Sequence, residues 1–134
     1  MTKPSRSGAA WLALACALVF SVGCDDDDHD EEGTPTASVC PTTQTLTYAN
    51  FGQAFFDSYC QRCHASTVTG AARMDAPTNH IFDMVQDIQL NADHIDELAA
   101  AGPAAVNMEM PPNGAKPTDT ERRQLGEWLA CGAP

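Results

Sequence analysis

The sequence Cys-Gln-Arg-Cys-His at residues 60–64 constrains this chain more than any other segment. Two residues separate Cys60 from Cys63, so their thiols lie about one turn apart if the segment is helical, because an α-helix turns once in about 3.6 residues. His64 follows directly and brings an imidazole to the same end of that helix. The motif therefore offers two sulfur atoms and one nitrogen ligand on one short segment.

This spacing is typical of covalent haem attachment. Two thiols one turn apart can form thioethers with both vinyl groups of haem, while His64 ligates the iron from the same side. We therefore predict one covalently bound haem c, held by Cys60, Cys63 and His64.

Three other interpretations compete with haem. A thioredoxin-like redox pair would need a βαβ unit, and no strand pattern precedes Cys60. A zinc site would need a fourth ligand, for which His80 is the nearest candidate, but the sequence has no second CxxC pair. Accidental cysteines at a helix end are the third alternative.

The first 23 residues indicate export. Lys3 and Arg6 give a short basic start, and residues 9–22 are almost continuously apolar, which is the length of a signal-peptide core and short for a membrane span. The segment ends in Ser-Val-Gly-Cys and resembles the bacterial lipobox, although Ser21 stands where leucine is usual. We predict a signal peptide over 1–23 and lipid attachment at Cys24. An ordinary secretory signal with an incidental cysteine is the alternative.

An acidic run follows Cys24 and predicts a flexible tether over 24–39. Seven of the eight residues 25–32 are acidic, and such a run repels itself and buries no apolar surface. A calcium site there would need spaced oxygen ligands and a turning glycine, which the run lacks.

Charge limits the partners of the protein. Removing 1–23 leaves 5 of the 7 basic residues and all 18 acidic residues, a net charge of −13. The predicted domain, 40–134, is itself acidic, with 11 acids against 5 bases. Nucleic acid is therefore not expected as a partner, and redox proteins with basic docking surfaces are.

The six cysteines can all be assigned. One lies in the removed signal peptide, one takes the lipid, and two take haem. Cys40 and Cys131 remain, one at each end of the domain 40–134. Because disulfides persist outside the cytoplasm, we predict a bond between them.

The helical patterns of 40–134 predict an all-α domain. Apolar residues fall on one face of 48–63, and Thr47 precedes them as an N-cap. Gly52 costs such a helix about 1 kcal/mol relative to alanine, so another backbone is expected to approach closely there.

Two more helices are predicted downstream. Residues 83–101 repeat apolar residues at steps of three and four, and we favour one helix over two helices divided at Asn91. Thr118 and Glu121 form a capping box for the last helix, whose apolar face includes Trp128.

From about Thr47 to Pro134 the chain resembles a bacterial class I cytochrome c domain. An aromatic first helix, the CxxCH motif, an Ala-Pro loop, a middle helix, Met-Pro-Pro at 110–112 and a closing helix with Leu and Trp occur in the family's order. The resemblance covers essentially the whole predicted domain. It implies a small cytochrome c-like helical fold in which the first and last helices cross at Gly52, against Trp128.

The resemblance also implies ligands. Met110, followed by two prolines, matches the methionine that ligates iron opposite His64, with Met108 as the competitor in the same loop. Pro77 matches the proline whose carbonyl accepts a hydrogen bond from the proximal histidine. Four further residues match no ligand motif: Met74, Met84, His80 and His94.

These features predict a one-electron carrier, not an enzyme, tethered through Cys24 on the extracytoplasmic (periplasmic) side of a bacterial membrane. With His64 and Met110 both bound, the iron has no open position and only changes its oxidation state. Two alternatives stay open. A five-coordinate haem could bind a small gas or support peroxidase-like chemistry, and the domain could be a dedicated haem subunit of a membrane oxidoreductase.

Overall fold

The computed structural model of the protein describes residues 33–134. The predicted signal peptide (1–23), the predicted lipid site Cys24 and the acidic run 25–32 lie outside the described residues. Within 33–134 the structure is helical, and the only paired extended residues are Ala101 and Val106, which form an isolated bridge. The all-α prediction is confirmed. No helix in this part of the chain is both long and apolar enough to cross a membrane.

The helical elements follow one another with short connections. In chain order they are a π-helical segment Tyr48–Gly52, α1 Gln53–Tyr59, α2 Gln61–His64, a 3₁₀ turn Gly70–Arg73, α3 Val85–Leu90, α4 Ala92–Ala99 and α5 Asp119–Ala130.

The first predicted helix, 48–63, is present in three pieces. Thr47 is its N-cap, as predicted, because its side chain accepts a hydrogen bond from the Asn50 amide at 3.2 Å. Cys60 separates α1 from α2 with φ −112°. The pieces remain nearly continuous, since the Cys60 amide donates to the Phe56 carbonyl and the His64 amide donates to the Cys60 carbonyl.

The single helix predicted over 83–101 is wrong, because Asn91 divides it into α3 and α4. The side chain of Asn91 donates to the Asp87 carbonyl at 2.8 Å, and its backbone sits at φ −109°, ψ 17°. A side chain that bonds the preceding turn competes with regular helix geometry. This local competition stops α3 and starts α4.

The capping box of α5 is confirmed. Thr118 accepts from the Glu121 amide at 3.2 Å, and the Glu121 carboxylate accepts from the Thr118 amide at 2.7 Å. The Thr118 amide and hydroxyl both donate to the Glu121 carboxylate, and these two hydrogen bonds hold the pKa of Glu121 below its usual value. Leu125 and Trp128 lie on the inner face of α5 and are fully buried.

The first and last helices meet at Gly52. A Cβ atom on Gly52 would lie 2.7 Å from Cζ2 of Trp128, closer than van der Waals contact allows. The crossing predicted at this glycine is therefore present, but the group that comes close is the indole of Trp128, whereas the sequence predicted another backbone. An aromatic cluster surrounds the crossing, with ring centroids 5.0–6.2 Å apart, and contains Phe51, Phe55, Phe56, Tyr59, Phe82 and Trp128.

The domain begins earlier than predicted. Thr36 is fully buried, and both its amide and its hydroxyl donate to the Asp96 carboxylate, at 2.8 and 2.6 Å. The Ala104 amide donates to the Thr36 carbonyl at 2.9 Å. Treating residues 33–39 as flexible tether is therefore wrong. We call residues 33–39 the N-terminal strap, and it lies against α4 and the loop that follows α4.

A disulfide joins Cys40, directly after the strap, to Cys131, directly after α5. Their Cα atoms are 4.7 Å apart, although 91 positions separate them in the sequence. The bond therefore ties the start of the domain to the end of its last helix.

We expect protein produced in an oxidising compartment to carry this bond in solution. Unreduced protein treated with iodoacetamide should gain no mass at Cys40 or Cys131. Replacing both by serine should lower the free energy of unfolding by up to roughly 4.5 kcal/mol, the chain-entropy value for a loop of 91 residues. Wild type unfolded in reductant is the matched control and should resemble the double variant. Two alkylatable thiols at these positions in unreduced protein would contradict the prediction.

Candidate functional site

An open cleft lies between α1–α2 on one side and α4 with the 106–117 loop on the other. Its walls are mainly aromatic and aliphatic, and they include Phe55, Phe56, Tyr59, Phe82, Ile95 and Leu98. Apolar walls with a few convergent polar groups are typical of sites for large, flat cofactors.

Both motif cysteines line this cleft, and neither is in a disulfide. Burial raises the pKa of the Cys60 thiol to about 12, so it is protonated at neutral pH. A thioredoxin-like nucleophile requires the opposite, a thiol whose pKa is lowered so that the thiolate forms. The described residues contain no strand ladder either. The environment of Cys60 therefore argues against the redox-pair alternative.

The imidazole of His64 is fixed on one side of the cleft. Its Nδ1 lies 2.9 Å from the His80 carbonyl and donates to it, which leaves Nε2 unprotonated in the neutral ring. The ring stacks on Phe82 with centroids 4.7 Å apart. Burial lowers the pKa of His64 below its ordinary value, and the neutral form is the one that ligates metals. His64 is thus held as the neutral tautomer that carries its proton on Nδ1, which leaves Nε2 with a free electron pair for a metal.

The hydrogen bond predicted for Pro77 is made by His80 instead, so the assignment of Pro77 is wrong. The Pro77 carbonyl accepts from Nη2 of Arg73 at 2.6 Å. Arg73 is buried, and its guanidinium also donates to the carbonyls of Ala65, Val68, Ala76 and His80. The Arg73 side chain therefore bonds several carbonyls of the loop after α2, and that of Pro77 is one of them. Nothing in the sequence around Arg73 indicated that role.

Met110 lines the cleft together with His64 and the two cysteines. It is half-buried, and its amide donates to the Leu98 carbonyl at 2.9 Å. Met108 does not line the cleft and is 60% exposed. The loop therefore turns one methionine toward the cleft and the other toward solvent.

Other potential ligands differ in where they lie. His80 and His94 border the cleft, with ring centroids 4.5 Å apart, and Met74 lines an adjoining pocket that also includes these two histidines. Met84 does not line it and is 59% exposed. None of these residues stands in a ligand motif of the sequence, and only the fold brings His80, His94 and Met74 to the site.

A zinc site finds no geometric basis in 33–134. No three His, Cys, Asp or Glu side chains of that segment are grouped so that they could hold a metal ion. Two protonatable thiols, one neutral imidazole and one thioether around an apolar cleft suit a haem better, because haem brings its own four nitrogen ligands.

Comparison with known families supports the same cofactor. Residues 49–129 match the model of a family described as cytochrome C oxidase, cbb3-type, subunit III. Comparisons with curated proteins and with solved structures gave no match. The family binds covalent haem c, and the matched range contains the CxxCH motif, α1 to α4 and almost all of α5. The chain therefore belongs to this family of class I c-type cytochrome domains, and its cofactor is covalently bound haem c.

Proposed function

We propose that the protein is a one-electron carrier in which haem c is attached through Cys60 and Cys63 and ligated by His64 and Met110. The family is consistent with electron transfer, and cytochrome c domains are typically carriers and not catalysts. The observation that carries the proposal is the convergence of both thiols, a neutral imidazole and a thioether on one apolar cleft. When both axial positions are filled, haem supplies reversible one-electron chemistry and no open site for a substrate.

The residues of the chain control that chemistry in two ways. The His80 carbonyl holds His64 in one tautomer and one orientation, as such partners of ligands commonly do. The cleft walls are mainly apolar and offer water few hydrogen-bond partners. Methionine ligation raises a haem's reduction potential relative to ligation by two histidines. Together these features favour a carrier with little rearrangement between oxidation states.

The protein is proposed to work on the extracytoplasmic side of a membrane, anchored through a lipid on Cys24. Because the N-terminal strap packs on the domain, the tether can comprise only residues 24–32. Nine residues span about 30 Å when fully extended, so the domain stays within that distance of its anchor. Its acidic composition favours redox partners with basic docking surfaces.

The family description supports a second candidate function. The matched family is described as an oxidase subunit, so this domain could serve one membrane oxidoreductase as a dedicated haem subunit. A shuttle should purify alone after mild detergent solubilisation. A dedicated subunit should purify in a stoichiometric complex that survives gel filtration.

Covalent attachment through Cys60 and Cys63 is testable directly. Haem should stay with the denatured polypeptide during acid–organic extraction, because thioether bonds survive loss of the fold. The double variant Cys60→Ala, Cys63→Ala should lose it and yield little folded protein, because the cofactor fills a cleft that the thin core cannot close. The matched control Cys40→Ala, Cys131→Ala removes two cysteines elsewhere and should retain its haem. Extraction of haem from the wild type would contradict the proposal.

Ligation by Met110 is tested separately. Ferric protein should show the weak near-infrared band of iron–sulfur ligation. Met110→Ala should abolish that band, lower the reduction potential and let the ferrous protein bind carbon monoxide. Met108→Ala is the matched control from the same loop and should change none of these. Loss of the band only in the Met108 variant would move the ligand to that residue. A band retained in both variants would point to another thioether, that of Met74. A band absent from all proteins, including the wild type, would point to a histidine ligand or to an open, gas-binding site.

Lipid attachment predicts a labelling result. The wild type expressed with radiolabelled palmitate in a bacterial host should incorporate label and partition into the membrane fraction. Cys24→Ala should lose both properties while its haem spectrum stays unchanged. A labelled Cys24→Ala variant would place the lipid on another residue. A soluble and unlabelled wild type would leave only an ordinary secretory signal.

A further inference from the structure

One buried arginine lies behind the loop that contains Met110. Arg122, near the start of α5, is only 1% exposed. Its Nη1 lies within hydrogen-bond distance of three backbone carbonyls, those of Ala99 at 2.6 Å, Asn107 at 2.9 Å and Met110 at 3.0 Å, which share its two N–H groups. Ala99 is the last residue of α4, so one guanidinium nitrogen joins α5, the end of α4 and the 107–110 loop.

The same loop is held from the opposite side. The buried Asn107 side chain donates to the Thr34 carbonyl at 2.7 Å and to the Asp96 carbonyl at 2.8 Å. Hydrogen bonds therefore fix the backbone at Asn107 and at Met110. Between these two points, Met108 and Glu109 are exposed. Hydrogen bonds therefore hold the loop at Met110, whose side chain lines the cleft, whereas the residues between the two held positions face solvent.

The charge of Arg122 makes this arrangement resist displacement. Hydrogen bonds from a charged donor are stronger than those between neutral groups. A buried cation that loses its acceptors is strongly destabilising, because it has neither water nor partners. If Met110 moved away from the cleft with its backbone, Arg122 would lose at least one of its three acceptors in a site that water does not reach.

We propose that Arg122 is a positioning residue that holds Met110 at the cleft and so protects the iron–sulfur bond from exchange. The proposal rests on the ligation by His64 and Met110 proposed above. Arg122 does not touch the reacting atoms; it acts through the carbonyl of Met110. Its Nη2 is buried without an acceptor among the described residues, so the hold passes through Nη1 alone. A lysine, with one ammonium group, should therefore replace it in part.

The test uses holoprotein with covalent haem and imidazole as a competing ligand for ferric iron. Arg122→Met keeps the apolar length of the side chain and removes the donors, and it should bind imidazole at least tenfold more tightly than wild type. Arg122→Lys should fall between the two. The control is Arg123→Met at the adjacent, exposed position, which should match wild type.

A second measurement separates positioning from general stability. On heating, Arg122→Met should lose its near-infrared sulfur band well below the temperature at which helical circular dichroism is lost. In wild type and in Arg123→Met the two transitions should lie closer together. Unchanged imidazole affinity in Arg122→Met, or loss of band and helix at one temperature, would overturn the inference.

The proposed ligation and this inference fail differently. A wild type without the sulfur band would remove the His64–Met110 ligation and this inference with it. A wild type with the band and an insensitive Arg122→Met variant would remove this inference alone.

If neither Arg122 variant assembles with haem, the proposal can be tested on the wild-type holoprotein. NMR should show slow exchange of the Arg122 guanidinium protons with solvent, and at least tenfold faster exchange once imidazole displaces Met110. Exchange that does not change on imidazole binding would show that the guanidinium contacts are independent of the ligand, which contradicts the proposal.

Discussion

Gly52 has no side chain, and the indole of Trp128 lies so near that a Cβ atom on residue 52 would be only 2.7 Å from it. This contact lets the π-helical segment Tyr48–Gly52, which leads directly into α1, cross α5 at Trp128. Cys60, Cys63 and His64 come at the end of the α1–α2 unit, and Arg122 comes near the start of α5. The cleft lies beside the crossing, so a change in the separation of these helices would change its width. A single methyl group at residue 52 would therefore affect both the core and the cofactor site.

Sequence reasoning succeeded where the determinant is local. The caps at Thr47 and Thr118 depend on residues three positions away, and the CxxCH motif carries its donors on one turn. Gly52 was recognisable because a glycine in an amphipathic helix needs a reason. Asn91 was recognised as a point of division but underrated, because helix periodicity continues on both sides of it.

The incorrect predictions concern contacts that form only when distant parts of the chain come together in the fold. His80, and not Pro77, supplies the carbonyl that accepts from His64, and Arg73 donates to both carbonyls; the sequence does not specify which loop carbonyl faces which donor. The N-terminal strap was read as tether because its composition is that of a linker. Its burial depends on Asp96, which lies 60 residues away. Arg73 and Arg122 illustrate one physical solution: a small domain rich in loops has many buried carbonyls, and a guanidinium provides several donors for them.

The N-terminal strap has a mechanical consequence for a lipid-anchored protein. Tension on the membrane end of the chain enters the domain at Thr34 and Thr36, whose partners are Asn107 and Asp96. Such tension would act on these hydrogen bonds before it acts on the disulfide at Cys40. In the lipid-anchored form proposed above, the tether would thus join the domain on the side on which the 107–110 loop lies. Force on the anchor would then act close to the loop that carries Met110.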